Sequence, residues 1–134
     1  MILVDSDVLI AHLRGLTSAR DWLVSARDAG PLTISVVSIA ELIDGMRTVE
    51  RREVWQLLAS FRVEPATEII ARRAGDMMRR YRRSHNGIGL GDYLIAATAD
   101  VQGLELATLN VRHFPMFEHL RPPFALAAAQ RPEP

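Results

Sequence analysis

The feature that most constrains the fold is a short apolar run at the start of the chain that ends in an acid. Ile2, Leu3 and Val4 favour β-structure and show no polar alternation, and Asp5 follows them directly. A strand of this kind is covered on both faces, as in a parallel sheet with helices on each side. In such sheets the carboxyl ends of the strands border the functional crevice. Asp5 is therefore predicted to lie at the edge where a site would form.

Strand-like and helix-like segments alternate along the rest of the chain. Further strands are predicted at 32–35, 61–63 and 104–109, and helices at 8–13, 36–46, 48–60, 67–84 and 93–101, with one more starting at Thr17 or Ser18. In the helix at 36–46 the spacing predicts one apolar face, formed by Val36, Ile39, Ala40 and Ile43. This order predicts one three-layer α/β/α domain over 1–125, with a central, mainly parallel sheet of four to five strands. The proline-rich end at 126–134 is predicted to be a flexible tail.

The composition excludes several classes of site. The 134 residues include no cysteine, which excludes disulfides, thiolate zinc sites and cysteine nucleophiles. The four histidines show no metal-ligand spacing, and His113 is expected to be structural. All 16 basic residues are arginine, and the formal net charge is zero. No apolar stretch is long enough to span a bilayer and no signal peptide is apparent, so we expect a cytoplasmic protein without a membrane partner.

Three acids stand in apolar surroundings: Asp5, Glu41 and Asp92. Burying unpaired carboxylates costs roughly several kcal/mol each, so each acid needs a partner or a function. Each also has a structural explanation. Asp5 or its neighbour Asp7 can cap the following helix, and Asp92 stands at a helix start after a glycine. The spacing from Ser38 to Glu41 matches a capping box.

If the three acids converge, their charges repel unless a cation neutralises them. Mg²⁺ and Mn²⁺ prefer carboxylate and water ligands and are often held by a few carboxylates together with substrate phosphate. A cation so held assists hydrolysis of phosphodiesters, because it activates water and stabilises the charge of the transition state.

Four motifs in order resemble the PIN-domain ribonucleases, and in particular the VapC-type toxins of bacterial toxin–antitoxin pairs. They are Val4-Asp5-Ser6-Asp7-Val8-Leu9-Ile10, Ser35-Val36-Val37-Ser38-Ile39-Ala40-Glu41-Leu42, Gly91-Asp92-Tyr93-Leu94-Ile95-Ala96-Ala97 and Ala107-Thr108-Leu109-Asn110-Val111-Arg112-His113-Phe114. The resemblance covers nearly the whole chain. It implies a PIN-like domain with Asp5, Glu41 and Asp92 as catalytic residues and metal ligands.

The same resemblance places Asn110 among the catalytic residues, where many members carry a fourth acid. It implies RNA cleavage with Mg²⁺ or Mn²⁺, a homodimer and inhibition by a cognate antitoxin protein. Asp7 would be an auxiliary acid or a cap. Thr108 would be either a polar neighbour of the site or a plain strand residue.

Two other functions remain open. An aspartyl-nucleophile phosphohydrolase also begins with a strand followed by Asp-x-Asp, here Asp5 and Asp7, but such enzymes use a lysine that this chain lacks. A non-catalytic α/β binding domain would need the acids only as caps. The arginines at 72–83 either guide RNA phosphates or form a solvated helix face paired with Glu68 and Asp76. Tyr81 and Tyr93 are candidates for stacking on unpaired bases.

Overall fold

The computed structural model describes residues 1–126. Within them, the strands are Ile2–Val4 (β1), Leu32–Ser35 (β2), Arg62–Glu64 (β3) and Glu105–Ala107 (β4). The helices are Ser6–Leu13 (α1), Thr17–Ala29 (α2), Val36–Gly45 (α3), Arg51–Ala59 (α4), Glu68–Tyr81 (α5) and Leu90–Gln102 (α6). Short 3-10 helices lie at Thr48–Glu50 and Val111–His113.

The four strands form one parallel sheet in the order β3-β2-β1-β4. The register pairs Val4 with Ala107, so the ends of β1 and β4 lie side by side. The backbone N–H of Asp5 extends this pairing by donating to the Ala107 carbonyl at 2.9 Å. As a result, the residues that follow the two strands, Asp5 and Thr108, leave the sheet at the same edge.

Two apolar layers cover the sheet, and the alternation of side chains along β1 divides them. Leu3 belongs to the layer under α5 and α6, with Ile70, Met77 and Ile95. Val4 belongs to the opposite layer, with residues of α1 to α4 such as Leu9 and Leu42. The predicted three-layer α/β/α fold with a parallel sheet is thus confirmed, with four strands in the described residues.

Several element boundaries differ from the predicted ones, and two of the helix starts follow from the residue at the cap position. Helix α1 begins at Ser6 because the Asp5 side chain caps it, and α6 begins at Leu90 after Gly89. Helix α5 ends at Tyr81, three residues earlier than predicted. Strand β4 stops at Ala107, so Thr108 lies beyond it.

The predicted apolar face of α3 is wrong. The structure buries Ser38 and Leu42, whereas Val36 and Ile43 are each 37% exposed. Helix α3 is apolar on most of its circumference, so hydrophobic spacing alone did not determine which side packs on the sheet.

The predicted domain over 1–125 stays a prediction. The predicted tail at 126–134 lies, apart from its first residue, outside the described residues. Through residue 126, the chain has no helix long and apolar enough to cross a membrane.

Candidate active site

Asp5 is buried at the end of β1, where its carboxylate accepts hydrogen bonds from two neighbours. The residue Asp5 is 5% exposed. Oδ1 accepts the backbone N–H of Ser6 at 2.8 Å, and Oδ2 accepts the Thr108 hydroxyl at 2.8 Å. Burial raises the pKa of Asp5, the charge of Asp92 raises it further, and the hydrogen bond from Thr108 opposes the shift. Asp5 is therefore both the cap of α1 and a site carboxylate.

Glu41 reaches the same edge from α3. The Ser6 hydroxyl lies 3.4 Å from Glu41 Oε1 and 3.5 Å from Asp5 Oδ1, so this one side chain links the two acids. Glu41 stands at the exposed rim. Partial desolvation of its carboxyl, followed by the charges of Asp5 and Asp92, raises its pKa to about 7.

The capping-box explanation of Glu41 is wrong. Ser35 caps α3, because its hydroxyl accepts the Val37 N–H at 3.1 Å. Ser38 consequently lies inside the helix rather than at its cap. The Glu41 carboxyl points instead toward α6, where a Cβ added to Gly91 would stand 3.2 Å from Oε2.

Asp92 lies in the first turn of α6 and does not cap it. The cap residue is Gly89, and no side chain caps this helix. Asp92 Oδ2 lies 2.8 Å from His113 Nδ1, which in turn lies 2.9 Å from Asn110 Nδ2. Burial raises the pKa of Asp92, and the hydrogen bond and charge of His113 oppose the shift. His113 Nδ1 can donate to Asp92 or accept from the Asn110 amide but not both at once, so Asp92 and Asn110 share this one nitrogen.

Asp7 fastens the segment after β4 to α1. Its Oδ2 accepts the Leu109 N–H at 3.0 Å and lies 3.2 Å from the Thr108 hydroxyl oxygen. Its Oδ1 is buried, and in the described chain no hydrogen-bond partner meets it. Burial, then the charge of Asp5, raises the pKa of Asp7 to about 8. Asp7 is not the helix cap, since Asp5 takes that place.

Thr108 is more than a strand residue, because its buried hydroxyl lies at the centre of these contacts. The hydroxyl has one hydrogen, which it gives to Asp5 at the shorter distance, and it accepts the Asn110 N–H at 3.1 Å. It therefore holds the carboxylate of Asp5 and the segment that carries Asn110 in fixed relation.

The structure brings Asp5, Glu41 and Asp92 to one edge of the sheet, with Asn110 one side chain further out. In residues 1–126, however, no three acidic or imidazole side chains are close enough, as placed, to hold one ion. Binding by all three acids requires the side chains to close toward one another.

Two site residues were missed in the sequence. Ser6 stands between two acids, which was the signal available for it. His113 was expected to be structural, yet it contacts Asp92; its position three residues after Asn110 was the signal for it. Tyr93 is fully buried and cannot stack on a base.

The arginine-rich helix α5 is partly paired. Arg72 binds Glu68 at 3.0 Å, and Arg73 binds Asp100 at 2.6 Å. The predicted pairing with Glu68 is confirmed, while Asp100 takes the place predicted for Asp76. These pairs are exposed, so each contributes little to stability.

The chain is similar to known proteins over nearly its whole length. The family model described as PIN domain matches residues 2–118. The chain is 85% identical over 126 residues to "Ribonuclease VapC10" of Mycobacterium tuberculosis, covering 94% of this chain and 95% of the relative. It is 42% identical over 125 residues to "Ribonuclease VapC19" of the same organism, covering 92% and 100%. Among solved structures, "Toxin-antitoxin complex from Klebsiella pneumoniae" matches with a TM-score of 0.76 and 25% identity, covering 94% of this chain and 100% of that one.

Proposed function

The chain belongs to the PIN-domain family, and from that premise we propose that it is a divalent-metal-dependent endoribonuclease, the toxin of a toxin–antitoxin pair. Its high identity to a VapC ribonuclease over nearly its whole length supports the activity. VapC ribonucleases of this family are generally dependent on divalent metal ions. Mg²⁺ or Mn²⁺ is the ion we propose for this chain.

The observation that carries the proposal is the approach of three acids from three elements: Ser6 links Asp5 to Glu41, and Glu41 lies against the first turn of α6, which carries Asp92. The charge of Asp92 raises the pKa of Asp5, and both raise the pKa of Glu41. Helix capping accounts for Asp5 alone, because Ser35 and Gly89 are the cap residues of the helices that carry Glu41 and Asp92. A cation relieves the repulsion between the acids, and oxygen ligands of this kind suit Mg²⁺ and Mn²⁺.

Asp5, Glu41 and Asp92 would hold the ion, which when bound supplies water activation and charge stabilisation for phosphodiester hydrolysis. The other residues orient these acids. Thr108 fixes Asp5 through its 2.8 Å hydrogen bond, and His113 fixes Asp92 at 2.8 Å. Ser6 spans Asp5 and Glu41.

Asn110 adds an amide to the set and no charge. The resemblance placed it where many relatives carry a fourth acid. In this chain it contacts His113, so we propose that it orients the ring that holds Asp92. A second, tightly held cation is not part of the proposal.

We further propose the partners that the family resemblance implies: a cognate antitoxin, a second copy of the chain and an RNA substrate in the cytoplasm. The matched Klebsiella pneumoniae structure is a toxin–antitoxin complex, which supports a protein partner. The exposure of Val36 and Ile43 on α3 also supports one, since a partner would cover these apolar side chains.

Cleavage of a labelled single-stranded RNA by the purified protein tests the proposal. Cleavage should require Mg²⁺ or Mn²⁺, stop with a chelator and be lost in Asp5→Asn and Asp92→Asn. Asp28→Asn, an exposed acid on α2, is the matched control and should cleave normally. Cleavage that continues in chelator, or in both site variants, would overturn the proposal.

A further inference from the structure

A cavity of about 560 Å³ opens beside the acidic site. It lies between the loop after α5 and the segment after β4, and its wall includes His85, Asn86, His113, Phe114, Phe117 and His119. We call it the imidazole pocket. Its size is in the range of small-ligand sites. His113 belongs to both the pocket and the acidic site, because the same ring contacts Asp92.

The imidazole pocket and the acidic site differ in the charge of the side chains that line them. No Asp or Glu of the described chain lines the pocket, whereas three imidazoles, the Arg112 guanidinium and one amide do. Just before the pocket, the end of α5 and the following turn carry four exposed arginines: Arg79, Arg80, Arg82 and Arg83. A polyanionic ligand repelled by the acids is therefore attracted to this adjoining surface.

Two of the imidazoles are anchored through Nδ1. The Ser84 hydroxyl lies 2.8 Å from His85 Nδ1 and 3.3 Å from the Tyr81 carbonyl oxygen. This contact engages Nδ1, so Nε2 of His85 is the ring nitrogen left for a ligand. His113 is held at Nδ1 by Asp92 and Asn110, so its Nε2 is likewise the nitrogen left for a ligand.

The pocket also has an aromatic wall and an unusual backbone. The rings of Phe114 and Phe117 stack with centroids 6.5 Å apart and planes at 19°, and Phe117 is half-buried. His119 has φ 65, the only positive φ outside glycine in the described residues. Non-glycine residues in this region occur where the surroundings impose the conformation, often at binding sites.

From this arrangement we propose that the imidazole pocket binds the unpaired base of the nucleotide next to the phosphodiester that the acids cleave. The flat Phe117 ring suits stacking on a base, and the Asn86 amide and imidazole nitrogens suit the polar edge of that base. His113 lines the pocket and also contacts Asp92, so a base bound in the pocket lies next to the acidic site. The inference rests on the proposed ribonuclease function and adds the subsite that selects where RNA is cut.

A cycle of protein and substrate changes tests the subsite. Wild-type protein is compared with Phe117→Leu and Asn86→Ala, using one RNA and versions with a single abasic nucleotide on either side of its cleavage site. Loss of the pocket base should lower kcat/KM by about tenfold for wild type. Each variant should raise KM for intact RNA about tenfold and keep kcat within about twofold of wild type. The abasic change should then lower kcat/KM of the variants only slightly, because the base contact is already lost.

The matched control is His12→Ala, which removes an imidazole on α1 outside the pocket. It should behave as wild type toward the intact RNA and its abasic versions. Asn86 lies in an exposed loop, so its variant keeps the test decisive if Phe117→Leu unfolds. Abasic sensitivity that is the same in wild type and variants would overturn the inference.

A binding measurement separates this inference from the proposed function. In chelator, nucleoside 5′-monophosphates added to protein with isotope-labelled histidines should shift the ring signals of His85 and His119, and not that of His12. If these shifts occur but the protein cleaves no RNA with either cation, the pocket binds a base and the proposed ribonuclease function is overturned. If the protein shows metal-dependent cleavage but no shifts and no change in KM, the ribonuclease function stands and the base-binding inference is overturned.

Discussion

Removing the hydroxyl of Thr108 is the most informative single change in the site. Thr108→Val keeps the branched shape but removes the donor to Asp5 at 2.8 Å and the acceptor of the Asn110 N–H at 3.1 Å. A hydrogen bond to a charged group contributes roughly 1.5–3 kcal/mol, and an N–H left without a partner costs roughly 1–3 kcal/mol when buried, with the lower end expected for the half-buried Asn110. Since the two effects are coupled, the expected loss of unfolding free energy is about 2–4 kcal/mol.

Urea denaturation of wild type, Thr108→Val and Thr108→Ser measures this loss. The serine variant keeps the hydroxyl and should lose only about 1 kcal/mol, for its missing methyl group. Thr98→Val is a matched control, because the buried Thr98 hydroxyl bonds only a helix carbonyl at 2.7 Å and should matter less. The reasoning is refuted if Thr108→Val unfolds within about 0.5 kcal/mol of wild type.

Three further predictions concern the surrounding contacts. Gly91→Ala should place a Cβ 3.2 Å from Glu41 Oε2 and displace that flexible carboxyl, so RNA cleavage should fall while thermal stability barely changes; normal cleavage would contradict this. The pKa of Glu41 is raised from 4.5 to about 7 in the folded protein, so its contribution to stability is present below about pH 4.5 and is lost as pH rises to about 7, because the unfolded chain releases this proton first. Urea unfolding in chelator at pH 5 and pH 8 should show a smaller difference for Glu41→Gln, and an equal one would count against the shift. The reverse sign holds for the buried Glu50, where Arg47, with help from Arg14, lowers the pKa to about 2, so its contribution is present above about 4.5 and lost toward pH 2. Arg14→Met should therefore unfold at a higher pH in an acid titration followed by circular dichroism, and an unchanged midpoint would contradict that role.

The fold was predictable because its signals are local. Ile2–Val4 and Leu32–Ser35 are short, apolar and bounded, and both form strands at the predicted positions. The alternation with helices then determined a parallel sheet. The face of α3 was not predictable in the same way, since Ser38 is buried by its position in the sheet layers and not by its own chemistry.

The sequence singles out the candidate acids but not the hydrogen-bond network around them. Asp5, Glu41 and Asp92 stand out because each interrupts an apolar segment. The capping explanations could be decided only from geometry: capping proved real for Asp5, while Ser35 and Gly89 take that place for the helices of Glu41 and Asp92.

The contacts of Thr108 and His113 could not be read from spacing. Thr108 meets Asp5 across 103 residues of chain, and His113 meets Asp92 across 21. Only the pairing of β1 with β4 and the placement of α6 create these contacts. Polar residues beyond a strand end were therefore the part of the site that the sequence underdetermined.

Direct binding of Mn²⁺, followed by electron paramagnetic resonance of the free ion, tests the central claim that Asp5, Glu41 and Asp92 share one cation. We predict saturable binding to wild type and to Asp28→Asn. Binding should be at least about tenfold weaker in Asp5→Asn, Glu41→Gln and Asp92→Asn, because each removes a charged ligand. Equal affinity in wild type and all three variants would contradict the claim.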